Sequence, residues 1–236
     1  GVVGTSFGGG VALAMAAWLP PSLIGAVVTY MNGAVLPVPV RQGERTLMKR
    51  AVAFSVLGGR INELGHAEGR CCYDMPEEAE KKGKLFPIWT GAVPLYFCFG
   101  DDDRAWPSLE YARHTEEKLK EHQHPDYRVR LYPGAGHLLE PPCTPCNRVA
   151  PERSGLFNKE AAAKIGPEFV RWLEEDGMLD WGGDPYGHAA AQRQSWDEVR
   201  AFLDTRLRVS AARASSDLSA ATPPRPAPPP APPAPA

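Results

Sequence analysis

No stretch of the 236 residues is long and apolar enough to span a bilayer as a helix, and the first residues carry neither the basic nor the apolar region of a secretory signal. Charge of one sign is also missing. The 26 Lys and Arg stand against 28 Asp and Glu, and a net charge of -2 gives no footprint for nucleic acid or an anionic membrane. Cysteine is scarce and irregularly spaced. Cys71, Cys72, Cys98, Cys143 and Cys146 make an odd count without regular spacing, which does not suggest a disulfide framework and reads as reduced thiols of an intracellular protein. Cys143-Thr-Pro-Cys146 has no second pair at zinc-site spacing, so no structural metal is expected. An initiator Met is absent too, and only Gly1, Val2 and Val3 precede the first glycine turn, where a strand has about five residues. The expectation is therefore that upstream sequence, with any targeting signal, is missing, which leaves the cytoplasm, mitochondria and peroxisomes equally open.

The composition that remains, 43% hydrophobic and 23% charged, is that of a globular chain long enough for one large α/β domain. Apolar runs recur at 1–3, 26–32, 94–100 and 127–133. "AVVTYMN" and "PLYFCFG" are nearly continuous, as in strands of a mostly parallel sheet buried on both faces. Helical patterns lie between and after them, at 9–19, 108–122, 159–175 and 188–207. The third pattern lies in a long insertion at 147–180, and residues 33–93, with "KRAVAFSVLGG" and "MPEEAEKKGK", read as a second lid-sized region. Residues 1–210 thus read as the domain. Residues 211–236, ending "PPRPAPPPAPPAPA", read as a disordered tail of polyproline II character.

Residues 4–8, G-T-S-F-G, carry the first chemical signal. In the nucleophile elbow, G-x-S-x-G, a strand turns sharply into a helix with the serine at its apex and the next amide aimed at a developing oxyanion. Ser6 would be that serine and the Phe7 N–H that donor, the flanking glycines avoiding a Cβ clash. The alternative is a glycine-rich turn with Ser6 as a helix N-cap. A nucleophilic serine needs a base and an orienting carboxylate, in the order Ser, Asp, His, each just past a strand end. "PLYFCFGDDDRAW" supplies the carboxylate and "YRVRLYPGAGHLLEPP" supplies His137. Three residues after Gly100 stands Asp103, with Asp102 as the runner-up, since a one-residue shift of register is easily made. His114, His122 and His124 read as solvated, His66 has no strand before it, and His188 reads as a structural residue that orients a loop.

Four blocks together resemble the family of acyl-CoA thioesterases and bile acid-CoA:amino acid N-acyltransferases. They are "VVGTSFGGGVALAMAAWL", "FGDDDRAWPSLEYA", "YPGAGHLLEPPCTPCNR" and "WGGDPYGHAAAQRQSW", spanning residues 1 to about 207. The resemblance implies an α/β-hydrolase fold, truncated at its N-terminus, with an acyl-CoA substrate and no cofactor. In the family's acidic loop the second of two adjacent aspartates, with a tryptophan three residues on, is the acid, which favours Asp103. It also implies a choice of reaction. Acyl transfer to glycine or taurine goes with a cysteine nucleophile in this family, so Ser6 points to hydrolysis through an acyl-serine. A non-catalytic binding module is the rival of another class. The sequence departs from the pattern at Phe7, where the family has lysine, in a longer segment before Trp181, and in the proline tail, which carries no S-K-L-type peroxisomal signal. The family's N-terminal β-sandwich, its early strands and one oxyanion donor lie outside these 236 residues.

Overall fold

The computed structural model describes residues 1–36, 39–48, 56–153 and 157–220, with the backbone alone from 209 onward. Sixteen strands and α-helices are defined among them. In chain order these are β1 (Val2–Thr5), α1 (Phe7–Trp18), β2 (Val27–Tyr30), β3 (Val40–Gln42), β4 (Arg45–Met48), β5 (Arg60–Ile61), β6 (His66–Glu68), α2 (Pro76–Lys81), β7 (Leu95–Gly100), α3 (Ser108–Glu121), β8 (Tyr127–Tyr132), β9 (Val149–Pro151), α4 (Lys159–Ile165), α5 (Pro167–Glu174), β10 (Met178–Asp180) and α6 (Pro185–Ala220).

The main sheet has the order β1-β2-β7-β8 and every pair in it is parallel. Its two central strands are buried at every position, which explains their unbroken apolar sequence. The period of two divides them between two cores. Val27, Leu95, Phe97 and Phe99 face α1 and α3, while Val28, Tyr30, Tyr96 and Cys98 face α6 through Val199 and Phe202. Each fully buried Phe contributes roughly 1.5–3 kcal/mol relative to exposure. Edge strand β8 is more open, with Arg128, Arg130 and Leu131 exposed and Tyr132 buried at its end.

A second sheet, β5-β6-β10-β9, is mixed, and Phe157, Phe169, Trp172 and Leu179 give it a core of its own. Nothing in the sequence reading foresaw it. Its strands have two or three residues, too few to show a period.

Several expected boundaries move. The first strand is not the three-residue stub expected; Val2–Thr5 pairs over its full length with Val27–Tyr30. The pattern at 159–175 is two helices, because Pro167 has no N–H to donate and Gly166 before it adopts φ 148°. Helix α6 begins three residues before His188 and continues to Ala220, ten residues into the stretch read as tail. The polyproline segment from 221 onward and residues 49–55 of the lid-sized region lie outside the described residues.

Candidate active site

Ser6 stands where β1 ends and α1 begins, at φ 52° and ψ -118°. A non-glycine residue in that region stores about 1–3 kcal/mol of strain and persists only where its surroundings fix it. Three bonds do so. The Ser6 N–H donates to the Tyr30 carbonyl at 2.8 Å, and the Ser6 carbonyl accepts from the buried Asn32 side chain at 3.1 Å and from the Gly10 N–H at 3.2 Å. Phe7 opens α1, so its N–H has no intrahelical acceptor and is available beside the serine. Of the two glycines of the pentapeptide only Gly4 is needed for space: a Cβ there would lie 2.2 Å from the Gly8 carbonyl oxygen. Gly8 has nothing within 4 Å of such an atom, so the expected clash at that position does not exist. The tight approach is made instead by Gly9, against Thr29 at 2.4 Å.

Ser6, His137 and Asp103 are brought together from three strand ends of the parallel sheet. The Ser6 hydroxyl lies 2.7 Å from His137 Nε2, and His137 Nδ1 lies 2.9 Å from Asp103 Oδ2. An ionised carboxylate only accepts, so Nδ1 carries the proton and Nε2 accepts from Ser6. The Asp103 side chain is wholly buried and His137 nearly so. Burial on that scale requires a full set of donors. Asp103 has four: the Ala105 and Trp106 N–H groups on Oδ1, and the Ser108 hydroxyl and His137 on Oδ2.

The other candidates fall elsewhere. Asp102 accepts from Arg104 at 2.7 Å and from the Gly183 N–H at 3.0 Å, and Asp101 from the Gly134 N–H; neither bonds His137. His188 orients the histidine loop, as read from sequence. Its Nδ1 accepts from the Gly136 N–H at 3.1 Å and its Nε2–H donates to the Leu138 carbonyl at 3.0 Å. Burial, opposed by the Leu138 bond and the charge of Glu140, lowers its pKa and keeps it neutral. His114 and His124 are buried, not solvated. His114 bonds Glu80 across α2 and α3, and His124 follows the C-terminal turn of α3, where burial lowers its pKa.

Sequence reasoning passed over Asn32, Ser108 and Trp181 as members of this site. Ser108 was visible only as a helix start. Trp181 opens the stretch "WGGDPYGHAAAQRQSW", in which the family resemblance implies no role for it. Asn32 carried no signal beyond closing an apolar run. The cysteines are all free thiols. Among the described residues no group of three or more His, Cys, Asp or Glu is placed to hold a metal ion, and no helix is long and apolar enough to cross a membrane.

The fold and site define a mixed α/β protein whose candidate residues gather at the C-terminal ends of a parallel sheet, the usual place for a site in such folds. The chain belongs to the family described as BAAT / Acyl-CoA thioester hydrolase C terminal, which it matches over residues 1–209. It is 29% identical over 209 residues to "Acyl-coenzyme A amino acid N-acyltransferase 2" of Rattus norvegicus, covering 88% of this chain and 44% of the relative. It is 27% identical to "Acyl-coenzyme A thioesterase 1" of Homo sapiens, with the same coverage. To "Bile acid-CoA:amino acid N-acyltransferase" of Homo sapiens it is 28% identical over 207 residues. The chain spans less than half the length of these first two relatives.

Proposed function

We propose that the protein is an α/β-hydrolase that cleaves the thioester of an acyl-CoA, with Ser6 as nucleophile, His137 as base and Asp103 as its orienting acid. The observation that carries this reading is the series Ser6 Oγ, His137 Nε2, His137 Nδ1, Asp103 Oδ2, with links of 2.7 and 2.9 Å. Ser6 attacks the thioester carbonyl as its proton passes to Nε2, and the Phe7 N–H stabilises the oxyanion. Coenzyme A leaves as its thiol, taking a proton from His137, and an acyl-Ser6 ester remains. Water then attacks that ester with His137 as base, and the fatty acid leaves.

The names of the relatives include both thioesterases and N-acyltransferases. Hydrolysis is favoured here because the acyl group would rest on oxygen. An amine intercepts an oxygen ester less readily than a thioester, which leaves time for water. The test supplies an acyl-CoA with and without glycine or taurine and separates the products. Free acid should dominate, Ser6→Ala should abolish turnover by about 10³ or more, and Ser6→Cys should divert part of the flux to amide. Amide as the main product of the Ser6 protein would reverse the choice of reaction. Undiminished turnover in Ser6→Ala would end the covalent mechanism.

A further inference from the structure

The W-G-G-D block has no part in the chemistry just described, yet each of its residues touches either the histidine loop or the acid loop. The His137 N–H donates to the Trp181 carbonyl at 2.8 Å, and the Trp181 N–H to the Arg148 carbonyl at 2.7 Å. The Trp181 ring stacks on the imidazole, with centroids 5.5 Å apart and planes 25° apart. Gly182 pairs with Asp103 as an isolated β-bridge, and its N–H is held by Asp180. Gly183 donates to Asp102, and the Asp184 N–H to the Gly134 carbonyl. The backbones meet so closely that a Cβ on Gly136 would lie 2.3 Å from the Gly182 oxygen.

We propose that Trp181 is a positioning residue for His137: its indole face fixes the plane of the imidazole and stabilises the imidazolium formed when Ser6 gives up its proton. This inference rests on the reading of Ser6 as the nucleophile. A cation stacked on a desolvated indole is attracted by the ring's negative face. The indole also packs against the core of the second sheet, and its Nε1–H is buried with no acceptor among the described residues, so it meets the imidazole through its face and not through a hydrogen bond. The charged groups around the pair are Asp103 on the imidazole edge, Asp102 and Arg104 on the acid loop, Glu68 and Asp180 on the second sheet, and Glu140 and neutral His188 on the histidine side. Among these Asp103 is the one that bonds the imidazole, so a second stabilising surface on the open face has a distinct task.

The experiment compares Trp181→Phe, Trp181→Leu and Trp181→Met in the full chain. The readouts are the rate of Ser6 phosphonylation by an uncharged fluorophosphonate, and kcat and KM on an acyl-CoA. Loss of the aromatic face in Trp181→Leu should slow phosphonylation and kcat by about tenfold with KM little changed. Trp181→Phe should restore both to within about threefold of the native chain. Trp181→Met, unbranched and adaptable, replaces the Leu variant in the comparison should the latter fail to fold. A Leu or Met variant labelled as fast as the native chain, or a Phe variant as slow as Leu, would overturn the inference. Phosphonylation needs no acyl-CoA. A chain that is labelled with the expected order of rates but cleaves no thioester would sink the proposed reaction and leave this role standing. A native chain that is not labelled would overturn both.

Discussion

Replacing Asp103 with Asn removes a charge and one acceptor while leaving volume unchanged, and the structure dictates how the amide must turn. Oδ1 receives two backbone N–H groups, from half-buried Ala105 and buried Trp106, both at 2.9 Å. Turning the amide nitrogen toward them would strand both donors, at about 1–3 kcal/mol each. The nitrogen therefore takes the place of Oδ2, facing Ser108 and His137. Ser108 can rotate to accept. His137 can accept only by moving its proton from Nδ1 to Nε2, and a protonated Nε2 at 2.7 Å from Ser6 is no longer a base. A tautomer error of this kind costs about 10⁴ in kcat, or about 5 kcal/mol of barrier. Folding should lose only about 1–2 kcal/mol, one charge-assisted bond. The assay follows thiol release from an acyl-CoA with a chromogenic disulfide, beside the phosphonylation rate and a thermal melt. Asp102→Asn is the control, and should cost less than about tenfold because it acts only through Gly183 and Arg104. An Asp103→Asn chain within tenfold of native, or an Asp102→Asn chain that is worse, would refute the assignment of the acid.

Three further outcomes follow from the same framework. Burial disfavours the Glu198 carboxylate, yet bonds from Arg130, Tyr96, Gln194 and Tyr132 hold its pKa at about 2. That stability is present above the usual 4.5 and lost as pH falls toward 2, so Glu198→Gln should cost about 1 kcal/mol at pH 7, with solvent screening this quarter-exposed group, and nothing near pH 2 in thermal melts. His188 is neutral when folded, its pKa lowered below 6.5; its contribution is present above 6.5 and fades as pH falls through the folded value. Since His124 shifts the same way, the check is the difference between native and His188→Phe melts from pH 7 to 5, which should shrink on acidification. Burial beside Cys71 pushes the Cys72 thiol up to about 12, and buried Cys98 is raised as well, so a thiol reagent at pH 8 should modify exposed Cys143 and reach those two only on unfolding.

The central strands were legible because a strand covered on both faces is apolar almost throughout, as 26–32 and 94–100 are. Ser6, Asp103 and His137 were legible as strand-end residues in a fixed order, and the fold brings those three together. Other features follow from contacts that leave no local mark. His114 sits among charges in sequence, yet faces Glu80 on a helix 34 positions earlier. Trp196 falls in the apolar pattern of α6 but is 39% exposed, because the buried stripe runs through Ala191, Ser195, Val199 and Phe202 and leaves it one position to the side. The small second sheet joins residues more than 100 positions apart through two- and three-residue strands, below the length at which alternation speaks.

The bond between Ser6 and His137 spans 131 positions and that between His137 and Asp103 spans 34. Between them run three parallel pairings, each closed by a crossover, and such long-range contacts form slowly because chain entropy must be spent before they stabilise anything. No early, locally ordered ensemble can hold the three side chains in line. A phosphonylating label therefore acts as a clock for folding: reactivity at Ser6 should emerge with the slowest structural phase, after the helices have gained their circular dichroism. A newly made chain would thus stay chemically silent until its sheet is complete.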